Sequence, residues 1–467
     1  MSKQPRVLGT FTLAMITLAA IVSLRNLPLN AELGFSAVFF LCVAAIVFFI
    51  PSALIIAELA TAWPRSGGCY VWVGEAFGKP LAFVALWLSW MASVAWFPTI
   101  LAFTASMLAH MLSPILPGLE HSTMFILFCM LAIFWATTII NFYGIEFSGF
   151  LSSAGVLIGT LVPGLLIVIL GFGYVVAGNL DNIPLSINTL IPDFKLDNLV
   201  IFAALVLGLA GVELAAYHIR DAKNPQKNYP RALLLASILI LTVYILGTLA
   251  IVLVVPQHDL SLASGLIQAF AVFFNKVGLP WMVPLMAALL LCGALAGINA
   301  WVVGPAKGML IVAQDGFLPP YLCKVNKHGV PVALLLMQAV AGSILAMVFV
   351  YISNNTSIWL LTSLSAQFTC IVYVLIFAAA LKLRYSQPGI HRPFRVSVLW
   401  LIAGSGILSC IFGLLIVYVP HKTLVSIDSV VYVLLLISML LFLIAPAFML
   451  IKYRARSNAC KINSNNA

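Results

Sequence analysis

The chain has 467 residues, of which 63% are hydrophobic and only 8% charged, with a net charge of +10; a soluble domain carries roughly 25% charged residues. That much apolar surface excludes a water-soluble core, and the solvent for this fold is lipid. The positive balance then has to be explained by orientation in a membrane rather than by a nucleic acid partner.

Runs of about 20 mostly apolar residues, each long enough to cross the hydrocarbon as a helix, recur along the whole chain. They are continuously apolar and do not alternate in segments of about ten, which excludes a membrane barrel and leaves an all-α membrane protein. The spacing predicts twelve spans, at 8–30, 34–59, 81–112, 122–142, 150–177, 199–218, 231–255, 279–304, 330–352, 357–381, 397–418 and 429–451. The first is too long for a signal peptide and is followed by further spans, so it is kept as helix 1. With the N-terminus inside, 19 of the 23 basic residues fall in inner loops and termini, which is the pattern that cytoplasmic loops produce. Lys195, Lys276 and Lys422 fall outside, and Arg25 falls within helix 1.

Ionisable groups inside the hydrocarbon are costly, so each is a functional candidate until a partner explains it. In helix 1 the polar stretch Val22-Ser23-Leu24-Arg25-Asn26-Leu27-Pro28 ends in a residue that cannot donate an intrahelical hydrogen bond, and a break is expected there. Ser23, Arg25 and Asn26 would then line a cavity, because the groups freed at a break must be satisfied by protein, water or ligand. A proline kink with Arg25 snorkelling to water is the structural alternative. Glu32 and Glu58, near the ends of helices 1 and 2, read as solvated interfacial groups.

In span 6, Leu207-Gly208-Leu209-Ala210-Gly211-Val212-Glu213 carries two glycines three apart, each lowering helix stability by roughly 1 kcal/mol relative to Ala. The segment is easy to unwind, although the same spacing also suits tight helix packing. Glu213 follows it by two residues and is expected to accept hydrogen bonds from the unwound backbone, in a gating or structural role. Paired breaks in helices 1 and 6 point to two five-helix inverted repeats, 8–177 and 199–381, with 397–451 appended and a short cytoplasmic tail at 452–467. Substrate would bind near the midplane between the breaks. Asn299 in span 8 and Gln367 in span 10 are uncharged polar groups in apolar helices, placed either to orient a substrate or to make an interhelical bond worth about 0.6 kcal/mol.

Eight cysteines are scattered singly, without a CxxC pair or a histidine cluster, so neither a disulfide framework nor a metal site is expected. No histidine stands in a nucleophile motif, no cofactor is implied, and nothing in the chain reads as an enzyme.

Four loop stretches carry a likeness to known transporters. They are Pro64-Arg65-Ser66-Gly67-Gly68-Cys69-Tyr70; Gly211-Val212-Glu213 followed by Asn224-Pro225-Gln226-Lys227-Asn228-Tyr229-Pro230; Gly304-Pro305-Ala306-Lys307-Gly308 followed by His328-Gly329-Val330-Pro331; and His391-Arg392-Pro393-Phe394. In order and spacing they resemble the amino acid-polyamine-organocation superfamily, and most of all its bacterial glutamate:GABA antiporters, including His218 after the GVE element. The resemblance implies a leucine-transporter-like fold, alternating access, amino acid substrates and a bacterial inner membrane, with both termini cytoplasmic. By the same likeness Trp96 is a substrate contact, and the aromatic gate before GVE falls at Leu207 or Leu209, while Pro28 has a structural role. The helix 1 glycines of the superfamily are replaced by the stretch ending at Arg25, an acidic position in helix 8 falls at Gly297, and a tyrosine in helix 10 falls near Gln367. The long C-terminal plug of those antiporters has no counterpart in the short tail, and helix 5, from Ser152, lacks the lysine that some relatives carry.

The expected function is therefore secondary active transport of an anionic or zwitterionic amino acid, with the small-molecule substrate and the lipid bilayer as partners. A polyamine or cationic amino acid carrier, and a non-transporting sensor or subunit, stand as the alternatives.

Overall fold

The structure, a computed structural model, describes residues 9–65, 67–143, 155, 157–178, 187–214, 216, 222–255, 261–422 and 424–465. Eleven helices among these are long and apolar enough to cross a membrane. The first expected span is not among them, because it is two pieces: α1 (Thr10–Ile21) and α2 (Asn26–Ala31), joined through Val22 in an extended conformation. The break thus lies upstream of Pro28, whose position was expected to cause it. Pro28 instead sits in the first turn of α2, where the missing N–H is one that a helix start leaves without an intrahelical acceptor anyway.

The helices that follow are α3 (Gly34–Ala62), α4 (Cys69–Phe77), α5 (Lys79–Leu112), α6 (Thr123–Tyr143), α7 (Leu157–Val176), α8 (Leu196–Gly208), α9 (Pro225–Val252), α10 (Gly265–Lys276), α11 (Met282–Gln314), α12 (Val332–Tyr351), α13 (Asn354–Ser386), α14 (Leu399–Ile416) and α15 (Ser429–Asn465). Helix α5 is the axis of the molecule, with 78% of its most apolar window buried, and it packs mainly against α11 and α13. Its Ala and Ser positions allow that approach, since helices in lipid associate through close van der Waals contact rather than through a hydrophobic drive.

Among the described residues, two helices of more than two turns were not expected. α4 lies in the loop after the second span, and α10 lies in the loop before α11. Leu266, Ile267, Phe270, Phe273 and Phe274 of α10 are buried, an apolar stripe at helical period that lays it flat on the bundle. The span expected to end at 304 runs to Gln314, straight through Pro305, and α5 and α9 likewise contain Pro98 and Pro230. Membrane helices tolerate such prolines because neighbouring groups satisfy the freed carbonyl. The region expected as a tail continues α15 as helix to Asn465.

α7 and α11 meet backbone to backbone. A Cβ on Gly159 would lie 2.1 Å from the Gly293 nitrogen, and one on Gly293 would lie 2.2 Å from the Gly159 carbonyl oxygen, so neither position admits a side chain.

Candidate functional site

Between the two helix breaks lies a cavity of about 150 Å³. The first break presents Ser23, Arg25 and Asn26 to it, and the second presents Leu207, Gly208, Ala210, Gly211 and Glu213. At the second break α8 ends at Gly208, and the chain turns through Gly211 at φ 120°, a conformation that glycine alone adopts without strain. From α5 comes a single face, Ser89, Ala92, Ser93 and Trp96, spaced three to four apart as one side of a helix requires. α13 adds Thr362, Ser365, Ala366 and Thr369, and the Ser365 hydroxyl donates to the Ala92 carbonyl at 2.8 Å, which ties this wall to α5.

The sequence-derived candidates therefore divide. Nine of them, Ser23, Arg25, Asn26, Trp96, Leu207, Gly208, Ala210, Gly211 and Glu213, line the cavity; Pro28, Asn299 and Gln367 do not. Helix geometry accounts for the latter two, since residues two apart point nearly opposite ways. Trp301 lines the cavity, which turns Asn299 outward to accept a bond of 2.6 Å from the Asn141 side-chain amide. Ser365 and Thr369 face the cavity, which turns Gln367 away, where its Oε1 accepts from the Tyr418 hydroxyl at 3.3 Å. His218 and the start of helix 5 lie outside the described residues.

Arg25 is 8% exposed, and its Nε is buried without a hydrogen-bond partner. Among the described residues it forms no ion pair, with Glu213 or any other acid. Glu213, also buried, accepts a hydrogen bond from the Tyr373 hydroxyl, which in turn accepts from the Gly211 N–H at 2.9 Å. The acid is thereby linked to the unwound backbone through the Tyr373 hydroxyl. Among the described residues, Arg25 and Glu213 are the basic and the acidic side chain on the cavity wall.

A second cavity of about 40 Å³ lies behind the first break, lined by Ser23, Arg25, Trp96 and Trp301 together with Gly159, Thr160, Gly293 and Gly297. The indoles of Trp96 and Trp301 face one another with ring centres 5.4 Å apart, and with Arg25 they form the partition between the two cavities.

Sequence reasoning missed Tyr244, Tyr373 and Trp301. The signal was an aromatic residue with a polar tip deep in an apolar helix, where a buried hydroxyl must find a partner. It also missed that Glu58 is not solvated. Its carboxylate is buried, with Arg384 donating to both oxygens, one of them at 3.0 Å, Arg392 Nε 3.4 Å away and the Val396 N–H donating at 2.8 Å. At the same end of the molecule the Tyr70 hydroxyl donates to Asp315 at 2.5 Å and Lys79 lies 3.2 Å from it.

Residues 8–442 match the amino acid permease family. An uncharacterised transporter of Legionella pneumophila is 44% identical over 90% of this chain and 91% of its own length. A glutamate/gamma-aminobutyrate antiporter of Lactococcus lactis is 31% identical over 94% of this chain and 89% of its own, and a probable agmatine/putrescine antiporter of the same species is 25% identical over 86% and 82%. Eleven helices long and apolar enough to cross a membrane among the described residues, a cavity between two helix breaks and a match over nearly the whole length agree, and the chain belongs to the amino acid permease family of the amino acid-polyamine-organocation superfamily, which comprises transporters rather than enzymes.

Proposed function

We propose that this protein is a secondary active transporter that exchanges or takes up an anionic or zwitterionic amino acid by alternating access, with Arg25 receiving a carboxylate of the substrate. The observation that carries this reading is the buried guanidinium with an unpartnered Nε on the cavity wall at the first break. A buried cation without a partner is costly, and a substrate carboxylate supplies one through two parallel charge-assisted hydrogen bonds, a geometry that arginine offers and lysine does not. The two breaks would belong to corresponding positions of two five-helix repeats, and the bacterial inner membrane with both termini cytoplasmic is the orientation that the basic loops support.

A polyamine carrier is the second reading, favoured by the likeness to the agmatine/putrescine antiporter. Arg25 opposes it, because two positive charges about 4 Å apart repel by about 4 kcal/mol at an effective dielectric of 20. Counterflow by the purified chain in liposomes, with L-glutamate, GABA, L-glutamine, neutral amino acids and agmatine as the panel, separates the two. Arg25→Lys is expected to weaken binding of the exchanged amino acid by about 2–3 kcal/mol, roughly 30- to 150-fold. Unchanged affinity in both Arg25→Lys and Arg25→Ala, or exchange of agmatine alone, would overturn the proposal.

A further inference from the structure

The Tyr244 side chain reaches from α9 to both broken helices at once. Its hydroxyl oxygen is 2.9 Å from the Ile21 carbonyl, the last residue of α1, and 3.3 Å from the Gly208 carbonyl, the last residue of α8. It is also 3.3 Å from the Ser23 N–H and 3.4 Å from the Asn26 side-chain amide, both of which donate to it. A phenol hydroxyl has one hydrogen to give and two lone pairs to fill. The two N–H donors fill the lone pairs, so one hydrogen is left for two carbonyls. Tyr244 is 2% exposed and stands on the cavity wall.

The carbonyls belong to the two elements whose unwinding makes the site, and they cannot both be satisfied by Tyr244. When the hydrogen lies on Ile21, the Gly208 carbonyl is open to a donor in the cavity, which Gly208 itself lines. When it lies on Gly208, the end of α1 loses its partner. We infer that Tyr244 is a positioning residue that couples the two broken helices, because they compete for its one hydroxyl hydrogen, so that a donor group of the substrate at Gly208 releases that hydrogen to fix the end of α1. The inference rests on the transporter reading above. It makes the conformation of the first break depend on occupancy at the second through a discrete, two-position element, which is the physical content of coupling between sites.

Tyr244→Phe keeps the ring and removes the hydrogen. The probe is whichever amino acid of the counterflow panel the wild type exchanges fastest. Three readouts are taken on the full chain: exchange rate, the concentration giving half-maximal thermal stabilisation, and hydrogen–deuterium exchange of peptides covering residues 18–30 and 204–214. In the wild type the amino acid should protect both peptides together. In Tyr244→Phe, binding should stay within about threefold, exchange should fall at least about tenfold, and only one of the two peptides should remain protected. Concerted protection with exchange near the wild-type rate would overturn the inference, as would a loss of affinity with normal turnover, which is the mark of a simple contact. If Tyr244→Phe does not fold, Tyr244→Met, which also fills an apolar site and has no hydrogen to donate, takes its place with the same three readouts, and the same results support or overturn the inference. A wild type that exchanges no member of the panel defeats the transport reading instead, so the two failures are distinct.

Discussion

Replacing Glu58 with glutamine nearly preserves its shape and removes the negative charge that Arg384 and Arg392 share. The three side chains are 4%, 13% and 6% exposed, so little water is present to screen the loss. Removing one partner of a buried ion pair costs about 3–5 kcal/mol, because an uncompensated charge remains behind. The glutamine oxygen can still accept from the Val396 N–H, which places the expected loss near the lower end, at about 3 kcal/mol. The Arg65–Glu75 pair, whose side chains are 56% and 29% exposed, is the control, and Arg65→Ala should cost about 0.2–1 kcal/mol. Reversible unfolding in mixed micelles measures both. In a double-mutant cycle, Arg384→Gln should be milder by about 2 kcal/mol when Glu58 is already glutamine. Glu58→Gln within about 0.5 kcal/mol of the wild type, or strictly additive losses, would refute the reasoning. Because the pair joins the end of α3 to the end of α13, loosening it by even about 1.4 kcal/mol in one conformer would shift the population of that conformer about tenfold.

Two further outcomes follow from the packing. Trp96→Leu removes one of the indoles that separate the cavities and should weaken substrate binding about tenfold, about 1.4 kcal/mol, in a binding titration; unchanged affinity would place Trp96 in packing alone. Gly293→Ala drives a methyl into the Gly159 backbone and should cost at least about 1–3 kcal/mol of stability in the same micelle assay, whereas Gly297→Ala, with open space at its Cβ, should be nearly silent.

The membrane fold was legible because lipid leaves a sequence few options: long apolar runs must be helices. The two breaks were legible for a related reason, since Arg25 and the Gly208–Gly211 segment are expensive inside a continuous helix. What could not be read was which atom stops the first helix. Pro28 stands out as the local breaker, yet at the break itself the Ser23 N–H donates to the hydroxyl of Tyr244, 221 residues away. Glu58 went the same way: its position near a helix end suggested water, and its partners Arg384, Arg392 and Val396 come from a distant part of the chain. Asn299 and Gln367 show the finer limit. Polarity in an apolar span says that a partner exists, but the turn of the helix decides whether that partner is a ligand or a neighbour such as Asn141 or Tyr418.

The paired indoles of Trp96 and Trp301 also give the molecule an optical consequence. An indole's emission follows the polarity of its surroundings and the nearness of other rings, and these two stand between the cavities with their centres 5.4 Å apart. Any guest that spreads them, or replaces water at their edges, changes that light directly. The other eight tryptophans supply a background against which the change is read as a difference, so that occupancy of the site can be followed in the unlabelled chain.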